Sequence, residues 1–166
     1  MQVALREGWH LRIFVSPFAT VPAMSAQAVA AALGGRRILK TRILSELDLD
    51  AAARVGISAE AAYRVVAGGL LDADELYSLV IPRRTFERRR EGKQPLTVAE
   101  SDRLLRAVRV VVRAIDALGD ADRARAWLRT PNRSLRGEVP LALVATDMGA
   151  RMVEQALGRI EHGIYS

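Results

Sequence analysis

Cysteine is absent from this 166-residue chain, and histidine occurs twice, at positions 10 and 162. Without thiols the chain forms no disulfide, no thiolate zinc site and no cysteine nucleophile. The two histidines stand far apart in sequence and have no partner at metal-ligand spacing. Carboxylates are scattered and many have an arginine at helical spacing, so no general acid–base pair is evident. We therefore expect no enzymatic activity, no small-molecule substrate, no metal and no cofactor.

Aromatic residues are also few, at 5% of the chain, although 50% of the residues are hydrophobic. The core must therefore consist mainly of Ala, Leu, Val and Ile, and Ala and Leu are strong helix formers. No apolar run approaches the ~20 residues that cross a bilayer. These features predict a helical protein of one domain or two small ones, located in the cytoplasm and without a membrane partner.

The first residues combine a basic segment with an apolar one, as in a signal peptide, but two prolines interrupt the apolar part. Two alternatives remain open for residues 1–23. They form a disordered leader, or they precede the native start, with translation beginning at Met24 instead of Met1. Residues 10–15 have the composition of a short strand.

Helical patterns begin after this leader. Ser25 is predicted to cap an alanine-rich helix that stops at Gly34. A further helix is predicted over Leu39–Leu47, because apolar side chains recur every four residues there. Asp50 is then predicted to cap a separate short helix that stops at Gly56.

Three helices in the middle of the chain have clear start signals. Ser58 is predicted to cap the first. Residues 72–75 and 97–100 have the spacing of capping boxes, in which two side chains satisfy each other's backbone N–H groups. Pro82 interrupts the helix after the first box and suits the first turn of the next one. The second box starts the longest helix, about residues 98–118, whose apolar stripe is typical of a core-facing side or a dimer seam.

The chain after Gly119 contains three more predicted helices. Asp120 caps the first, Pro140 starts the second, and Thr146 or Asp147 caps the last. No strand signal follows the leader, so the sequence predicts an all-α protein of eight or nine helices.

Positive charge is concentrated in one stretch. Residues 82–93 carry six basic side chains and two acidic ones, a net +4 out of +6 for the whole chain. A short helix, a tight turn and this arginine-rich helix form a helix-turn-helix pattern, with Phe86 as the core anchor. Arginine donates paired hydrogen bonds to guanine edges and phosphates, so we favour DNA contact over an ordinary solvated face. The predicted DNA-binding residues are Arg83, Arg84, Thr85, Arg88, Arg89, Arg90 and Lys93.

Two stretches resemble a known family. The string RRTFERRREGKQPLTVAESDRLLRAVRV, residues 83–110, is similar to the DNA-binding core of Xre-type antitoxins, and the match covers residues 78–110. The last third of the chain resembles the toxin-binding domain of the Xre/MbcA/ParS antitoxins, with Trp-Leu, Pro-Asn, Leu-x-Gly and x-Pro, then Gly-x-x-x-Val and Leu-x-Arg-Ile-x-x-Gly. The resemblance covers about residues 58–166. The matching positions in the last third are Trp127, Pro131, Asn132, Leu135, Gly137, Pro140, Gly149, Val153, Leu157, Ile160 and Gly163.

This resemblance implies a RES–Xre toxin–antitoxin pair. The antitoxin of such a pair forms a homodimer, binds its toxin through the C-terminal domain and represses its own operon on operator double-stranded DNA. The toxin resembles ADP-ribosyltransferases and consumes NAD, so that chemistry belongs to the partner. MbcA- and ParS-type antitoxins share the C-terminal domain, and the Glu-Ser-Asp-Arg string at residues 100–103 favours the RES class. The expected divisions are a leader at 1–23, helices of unknown role at 24–57, a helix-turn-helix region with its long helix at 58–118, and a toxin-binding domain at 119–166.

The C-terminal domain offers core positions and an outer face. Trp127, Leu135, Leu157 and Ile160 are the predicted core, and Gly149 is predicted to lie against another backbone. The tail, residues 163–166, is apolar and aromatic, so we expect it to lie, together with the last helix, against the mouth of the toxin's NAD pocket. The predicted toxin-binding residues are Asn132, Arg133, Arg136, Arg151, Glu154, Arg159, His162, Gly163, Ile164, Tyr165 and Ser166.

Two other functions fit parts of the sequence. A stand-alone transcription regulator has the same basic helix but needs no protein-binding domain. A structural helical adaptor binds partners but not DNA. Co-purification of a neighbouring gene product and binding to upstream DNA separate these alternatives.

Overall fold

A computed structural model describes residues 26–161, and in that range the chain is all-α, as predicted. Residues 26–161 form ten α-helices and a 3₁₀ turn, slightly more helices than the sequence pattern indicated. The leader and its predicted strand lie outside the described residues. The helices are α1 (Ala26–Ala32), α2 (Gly35–Leu39), α3 (Glu46–Val55), α4 (Ala59–Ala67), α5 (Ala73–Leu79), α6 (Arg83–Glu91), α7 (Val98–Leu118), α8 (Ala121–Arg129), α9 (Pro140–Leu143) and α10 (Asp147–Glu161), with the 3₁₀ turn at Arg133–Leu135.

The long helix α7 lies at the centre of the molecule. Helices α1, α3 and α5 pack against it from the N-terminal side of the chain, and α8 and α10 from the C-terminal side. The predicted apolar stripe therefore faces the core. Burial extends well beyond a single stripe, as expected of a helix surrounded by others. The buried apolar residues of α7 are Leu104, Leu105, Ala107, Val108, Val110, Val111, Val112 and Ala114.

The start signals of the middle helices are confirmed. The Ser58 side chain accepts a hydrogen bond from the backbone of α4, and both predicted capping boxes are present at the starts of α5 and α7. The Asp120 side chain caps α8. At the start of α10, the hydroxyl oxygen of Thr146 accepts from the Gly149 N–H at 3.0 Å, so Thr146 is the cap of that helix.

The prediction of one helix over Leu39–Leu47 is wrong. Helix α2 ends at Leu39, and α3 begins seven residues later, after a capping box formed by Ser45 and Asp48. Hydrogen bonds from the backbone N–H of Leu44 and from the Ser45 side chain lower the pKa of Asp48. The four-residue recurrence of apolar side chains did not mark one face of a helix, since Ile43 is buried but lies outside any helix and Leu47 is exposed. The Ser-x-x-Asp spacing was the better signal.

The predicted role of Asp50 as a cap is also wrong. Asp50 lies in the middle of α3, where its carboxylate pairs with Arg54 at 2.7 Å. The predicted end of this helix at Gly56 is confirmed.

A buried contact fixes the start of α7 beside the turn between α3 and α4. The Ile57 N–H donates to the hydroxyl oxygen of Ser101 at 2.9 Å, and Ser101 is fully buried. The Leu96 N–H donates to the Ile57 carbonyl oxygen at 2.8 Å. Buried polar groups are stable when they are paired in this way. The segment that follows α6 is therefore held against the core.

Close packing at Gly149 is confirmed. A Cβ on this residue would collide with the carbonyl oxygen of Leu143, at the end of α9. Glycine lets the first turn of α10 approach that backbone, which accounts for a residue that weakens an isolated helix by ~1 kcal/mol relative to alanine. None of the described helices is long and apolar enough to span a membrane.

Candidate DNA-binding and partner-binding surfaces

The helix-turn-helix consists of α5, a three-residue turn at 80–82, and α6. Its inner side is apolar: Leu76 and Ile81 are buried, and Phe86 anchors α6 as predicted. The rings of Tyr77 and Phe86 pack with their centroids 6.2 Å apart. Because Phe86 alone is buried on α6, most of the helix surface faces solvent.

The outward face of α6 carries Arg84 and Arg88, one helical turn apart and both exposed. Within the described part of the chain neither side chain forms an ion pair. Arg83 is also exposed, and it donates to the Glu87 carboxylate at 2.8 Å. That carboxylate raises the pKa of the Arg83 guanidinium. Arg84 and Arg88 thus keep all their donors available to a ligand.

Arg89 has a different environment from its neighbour Arg88. Its Nε lies 3.1 Å from the Glu100 carboxylate, and the two side chains are 18% and 10% exposed. The Nε–H does not point at that oxygen, so the contact is an ion pair rather than a hydrogen bond at that atom. Another donor of Arg89 reaches the Pro95 carbonyl oxygen at 3.3 Å. Arg89 therefore ties α6 to the start of α7 instead of sharing the outward face.

The remaining predicted DNA-binding residues differ in how free they are. The Arg90 guanidinium lies 3.8 Å from the ring centre of Tyr63, a cation–π contact with α4. Thr85 is half-buried, whereas Lys93 is exposed just beyond α6. Lys93 has a positive φ of 51°. Arg84, Arg88 and Lys93 are therefore the exposed basic residues among the predicted set that form no described side-chain contact.

The Glu-Ser-Asp-Arg string has a structural role at each position. Glu100 completes the capping box of α7, and Ser101 accepts from Ile57. Asp102 accepts from Arg106 at 2.6 Å, and Arg103 donates to the Val80 carbonyl oxygen at 2.9 Å. Arg103 thus holds α7 to the turn of the helix-turn-helix, Ser101 holds it to the turn between α3 and α4, and the contacts of Glu100 and Asp102 named here stabilise α7 itself.

On the C-terminal side, Asn132 shapes the turn after α8. Its side-chain oxygen accepts from the Ser134 N–H at 2.9 Å and from the Ser134 hydroxyl at 2.7 Å. Its backbone N–H donates to the Glu138 carbonyl oxygen at 3.0 Å. Arg133 and Arg136 are exposed on the same turn. Asn132 therefore positions two basic side chains, and its own amide is engaged within the turn.

Helix α10 presents the other predicted contact residues. Arg151 and Arg159 are exposed, and Arg151 pairs with Asp147 at 3.0 Å. Glu154 is half-buried. His162, Gly163, Ile164, Tyr165 and Ser166 lie outside the described residues.

Two methionines on α10 were missed by the sequence analysis. Met148 is 69% exposed and Met152 is 38% exposed, on the same side as Arg151. The signal was present in the sequence, since both fall outside the buried stripe of Ala150, Val153 and Leu157. Exposed methionine side chains adapt to varied surfaces and are common at binding interfaces.

The predicted core of this region is partly confirmed. Leu135 and Leu157 are buried, whereas Trp127 and Ile160 are half-buried at its edge. Between residues 26 and 161 no group of three or more His, Asp or Glu side chains is placed to hold a metal ion.

The fold and these surfaces define a class: an all-α protein in which one long helix joins a helix-turn-helix to a C-terminal helical domain. Residues 48–109 match the antitoxin Xre-like helix-turn-helix domain. Residues 113–163 match the antitoxin Xre/MbcA/ParS C-terminal toxin-binding domain. The chain belongs to the Xre-type antitoxin family. The two matched ranges meet inside α7, and the domain borders predicted from the sequence remain predictions.

Curated relatives named antitoxin Xre agree with this assignment. The protein of Pseudomonas putida is 39% identical over 84 residues, which is 51% of this chain and 53% of that protein. The protein of Photorhabdus laumondii is 43% identical over 84 residues, 50% of this chain and 57% of the relative. The protein of Yersinia enterocolitica is 39% identical over 95 residues, 57% of this chain and 64% of the relative. The matched stretch thus spans between half and two thirds of each relative.

Proposed function

We propose that this protein is the antitoxin of a type II toxin–antitoxin pair. It binds and neutralises a RES-type, NAD-consuming toxin through its C-terminal domain, and it represses its operon through α6. The observation that carries this proposal is the presence, on one chain, of an outward arginine face on a helix-turn-helix and a domain matching a toxin-binding family. The protein itself acts as a cytoplasmic homodimer without a cofactor or catalytic activity.

Operator binding is assigned to the outward face of α6. In a helix-turn-helix, the second helix enters the major groove and its first turns contact base edges. Arg84 and Arg88 have the accessible, forked donors that such contacts require. Arg83 and Lys93 are placed to bind phosphates at either end of α6, and phosphate contacts fix the orientation on the duplex.

Toxin binding is assigned to the turn at 132–138 and to the outer face of α10. Met148 and Met152 supply an apolar centre, and Arg133, Arg136 and Arg159 supply a basic rim. Apolar anchors surrounded by polar residues are the usual arrangement of a protein interface. The tail, residues 163–166, is proposed to reach the mouth of the toxin's NAD pocket.

The RES class of the toxin rests on the family resemblance of the helix-turn-helix region. The curated relatives are named antitoxin Xre, and those names say nothing of the partner. Because residues 100–103 serve the fold, a further experiment must identify the toxin.

Co-expression with the adjacent gene tests the proposal. The tagged protein should retain the neighbouring gene product, cellular NAD should stay at its normal level, and the complex should shift DNA from its own upstream region. Deletion of residues 163–166 should restore NAD loss without preventing complex formation. A chain that shifts DNA but retains no companion would indicate a stand-alone regulator, and one that retains a companion but ignores DNA would indicate an adaptor.

A further inference from the structure

Helix α3 leaves an apolar stripe in solvent. Leu47 is 79% exposed and Val55 is 84% exposed, and Ala51, between them at four-residue spacing, is exposed as well. Leu44, just before the helix, extends the stripe. The opposite side of α3 is buried in the core. Single exposed apolar residues are ordinary, but a continuous stripe along one helix face marks a contact surface.

A groove beside the stripe enlarges this surface. It has a volume of about 480 Å³ and lies between α3, the end of α2 and the segment that follows α6. Ile38 and Pro95 line it together with Ala51 and Val55, so its walls are largely apolar. Lys93, from the end of the DNA-binding motif, lines the same groove.

Charges beside the stripe favour a second copy of this chain as the occupant. Asp50 and Arg54 lie along one edge of the stripe and form an ion pair within the helix at 2.7 Å. If two α3 helices pack antiparallel about a two-fold axis at Ala51, like edges meet, and Asp50 of each copy faces Arg54 of the other. A parallel pair would instead bring Asp50 toward Asp48 of the second copy. The stripe is thus complementary to itself in one orientation.

We propose that α3 forms the interface between two copies of this protein, packed antiparallel with Ala51 at the two-fold axis. The inference rests on the proposed homodimer and assigns its surface. Leu47 of one copy then packs against Val55 of the other. A ten-residue helix is ~15 Å long, so this interface is small compared with stable dimers, which bury ~1,200–2,000 Å². The dimer dissociates on dilution. Binding to a two-fold operator favours formation of the dimer, because Lys93 lies beside the interface.

Crosslinking tests the position of the axis, and the absence of native cysteine makes it direct. In the full chain, Ala51→Cys should give a disulfide-linked dimer under mild oxidation, because the two thiols meet at the axis within disulfide reach. The matched control is Ala121→Cys, an exposed alanine at the start of α8. It should stay monomeric under the same conditions. Equal crosslinking of both variants, or none of Ala51→Cys, overturns the proposal.

Charge exchange tests the orientation. Asp50→Arg and Arg54→Asp each place like charges across the axis, so each should weaken dimerisation in light-scattering measurements over a range of concentrations. The double variant restores opposite charges and should recover the dimer.

Substitutions in the apolar stripe test the packing itself. Leu47→Asp and Val55→Asp should weaken dimerisation by about tenfold or more, whereas Val98→Asp, at an exposed apolar site on α7, should not. Helix content by circular dichroism identifies any variant that fails to fold.

These outcomes are separable from those of the proposed function. A wild-type chain that is monomeric at all concentrations overturns the interface, even if it binds DNA and a companion. Such a monomer would indicate that another segment of the chain covers the stripe. A wild type that dimerises, together with an Ala51→Cys variant that forms the disulfide-linked dimer, supports the interface, even if neither DNA nor a companion is retained.

Discussion

Adjacent arginines on α6 have different physical roles. Arg88 faces solvent, whereas Arg89 lies against Glu100 at the start of α7. Removing one member of a sheltered ion pair leaves the other charge without its partner, which destabilises the folded state. The charge cluster that indicates DNA binding therefore includes one residue that supports the fold.

Arg89→Ala should lower the free energy of unfolding by about 1–3 kcal/mol, because Glu100 loses its ion pair and Pro95 loses a hydrogen bond. Arg88→Ala should leave it within about 0.5 kcal/mol of the wild type, as expected for an exposed site. Urea denaturation of both variants makes the comparison. Equal stability of the two would show that the pair contributes nothing to the fold.

Arg84→Ala and Arg88→Ala should weaken binding to operator DNA. Each should also reduce the slope of log affinity against log salt concentration by about one for every phosphate that the protein no longer neutralises, or relax base preference if the arginine binds a guanine. Arg123→Ala, an exposed arginine on α8, is the control for total charge. Gel-shift titrations at several salt concentrations measure the effect. If Arg84→Ala and Arg88→Ala lowered the affinity only as much as Arg123→Ala does, α6 would not bind the operator.

Elements differ in how well the sequence predicts them. Helices α4 to α8 begin and end near the predicted residues. Helices α4, α5, α7 and α8 do so because their N-caps are local interactions between side chains and backbone groups two or three residues away, whereas α6 starts directly after Pro82 without a side-chain cap. Helix α3 begins elsewhere than predicted because the cap at Ser45, and not the apolar spacing, determines its first turn. Apolar spacing marks a face of a helix but does not say whether the core or solvent covers it.

The candidate surfaces were less predictable than the helices. Arg88 and Arg89 are equivalent in a local pattern, and the partner of Arg89 is eleven residues away on another helix. The role of Arg89 therefore depends on a tertiary contact that no spacing rule contains. Asn132 differs, because its side chain accepts from Ser134 only two residues away, a local contact typical of asparagine in turns.

The two glycines of α10 offer a matched test of its packing. Gly149→Ala should destabilise the protein by about 1–3 kcal/mol, because the added methyl group collides with the Leu143 carbonyl oxygen. Gly158→Ala should stabilise it by up to ~1 kcal/mol, since the nearest atom, on Arg113, is 4.0 Å away and alanine is the better helix former. Thermal denaturation of both variants measures the difference in stability. A Gly149→Ala variant that is more stable than Gly158→Ala would contradict this packing.

The outer face of α10 yields a prediction about the toxin. Met148→Asp and Met152→Asp should reduce retention of the co-expressed companion by about tenfold or more, because a carboxylate replaces an apolar anchor in a surface that becomes desolvated. Val98→Asp is again the matched control, since Val98 is 54% exposed on a different helix. Retention by both methionine variants at the wild-type level would place the toxin-binding surface elsewhere on the domain.

The whole molecule is organised by α7. It contacts the helix-turn-helix region through α5 and the C-terminal domain through α8 and α10, and both matched family regions include part of it. The two candidate surfaces are therefore carried by one continuous core. The two surfaces use different residues, so substitutions that abolish binding at one surface are expected to leave binding at the other unchanged.

A single binding measurement tests this separation. The protein is co-expressed with its neighbouring gene product, and the purified material is applied to DNA from its own upstream region in a gel shift that resolves the ternary complex. We expect the wild type to form that complex, the Arg84→Ala, Arg88→Ala double variant to retain the companion but lose the DNA, and the Met148→Asp, Met152→Asp double variant to retain the DNA but lose the companion. A wild type that binds neither ligand, or a pair of variants that each lose both ligands while remaining folded, would contradict the account.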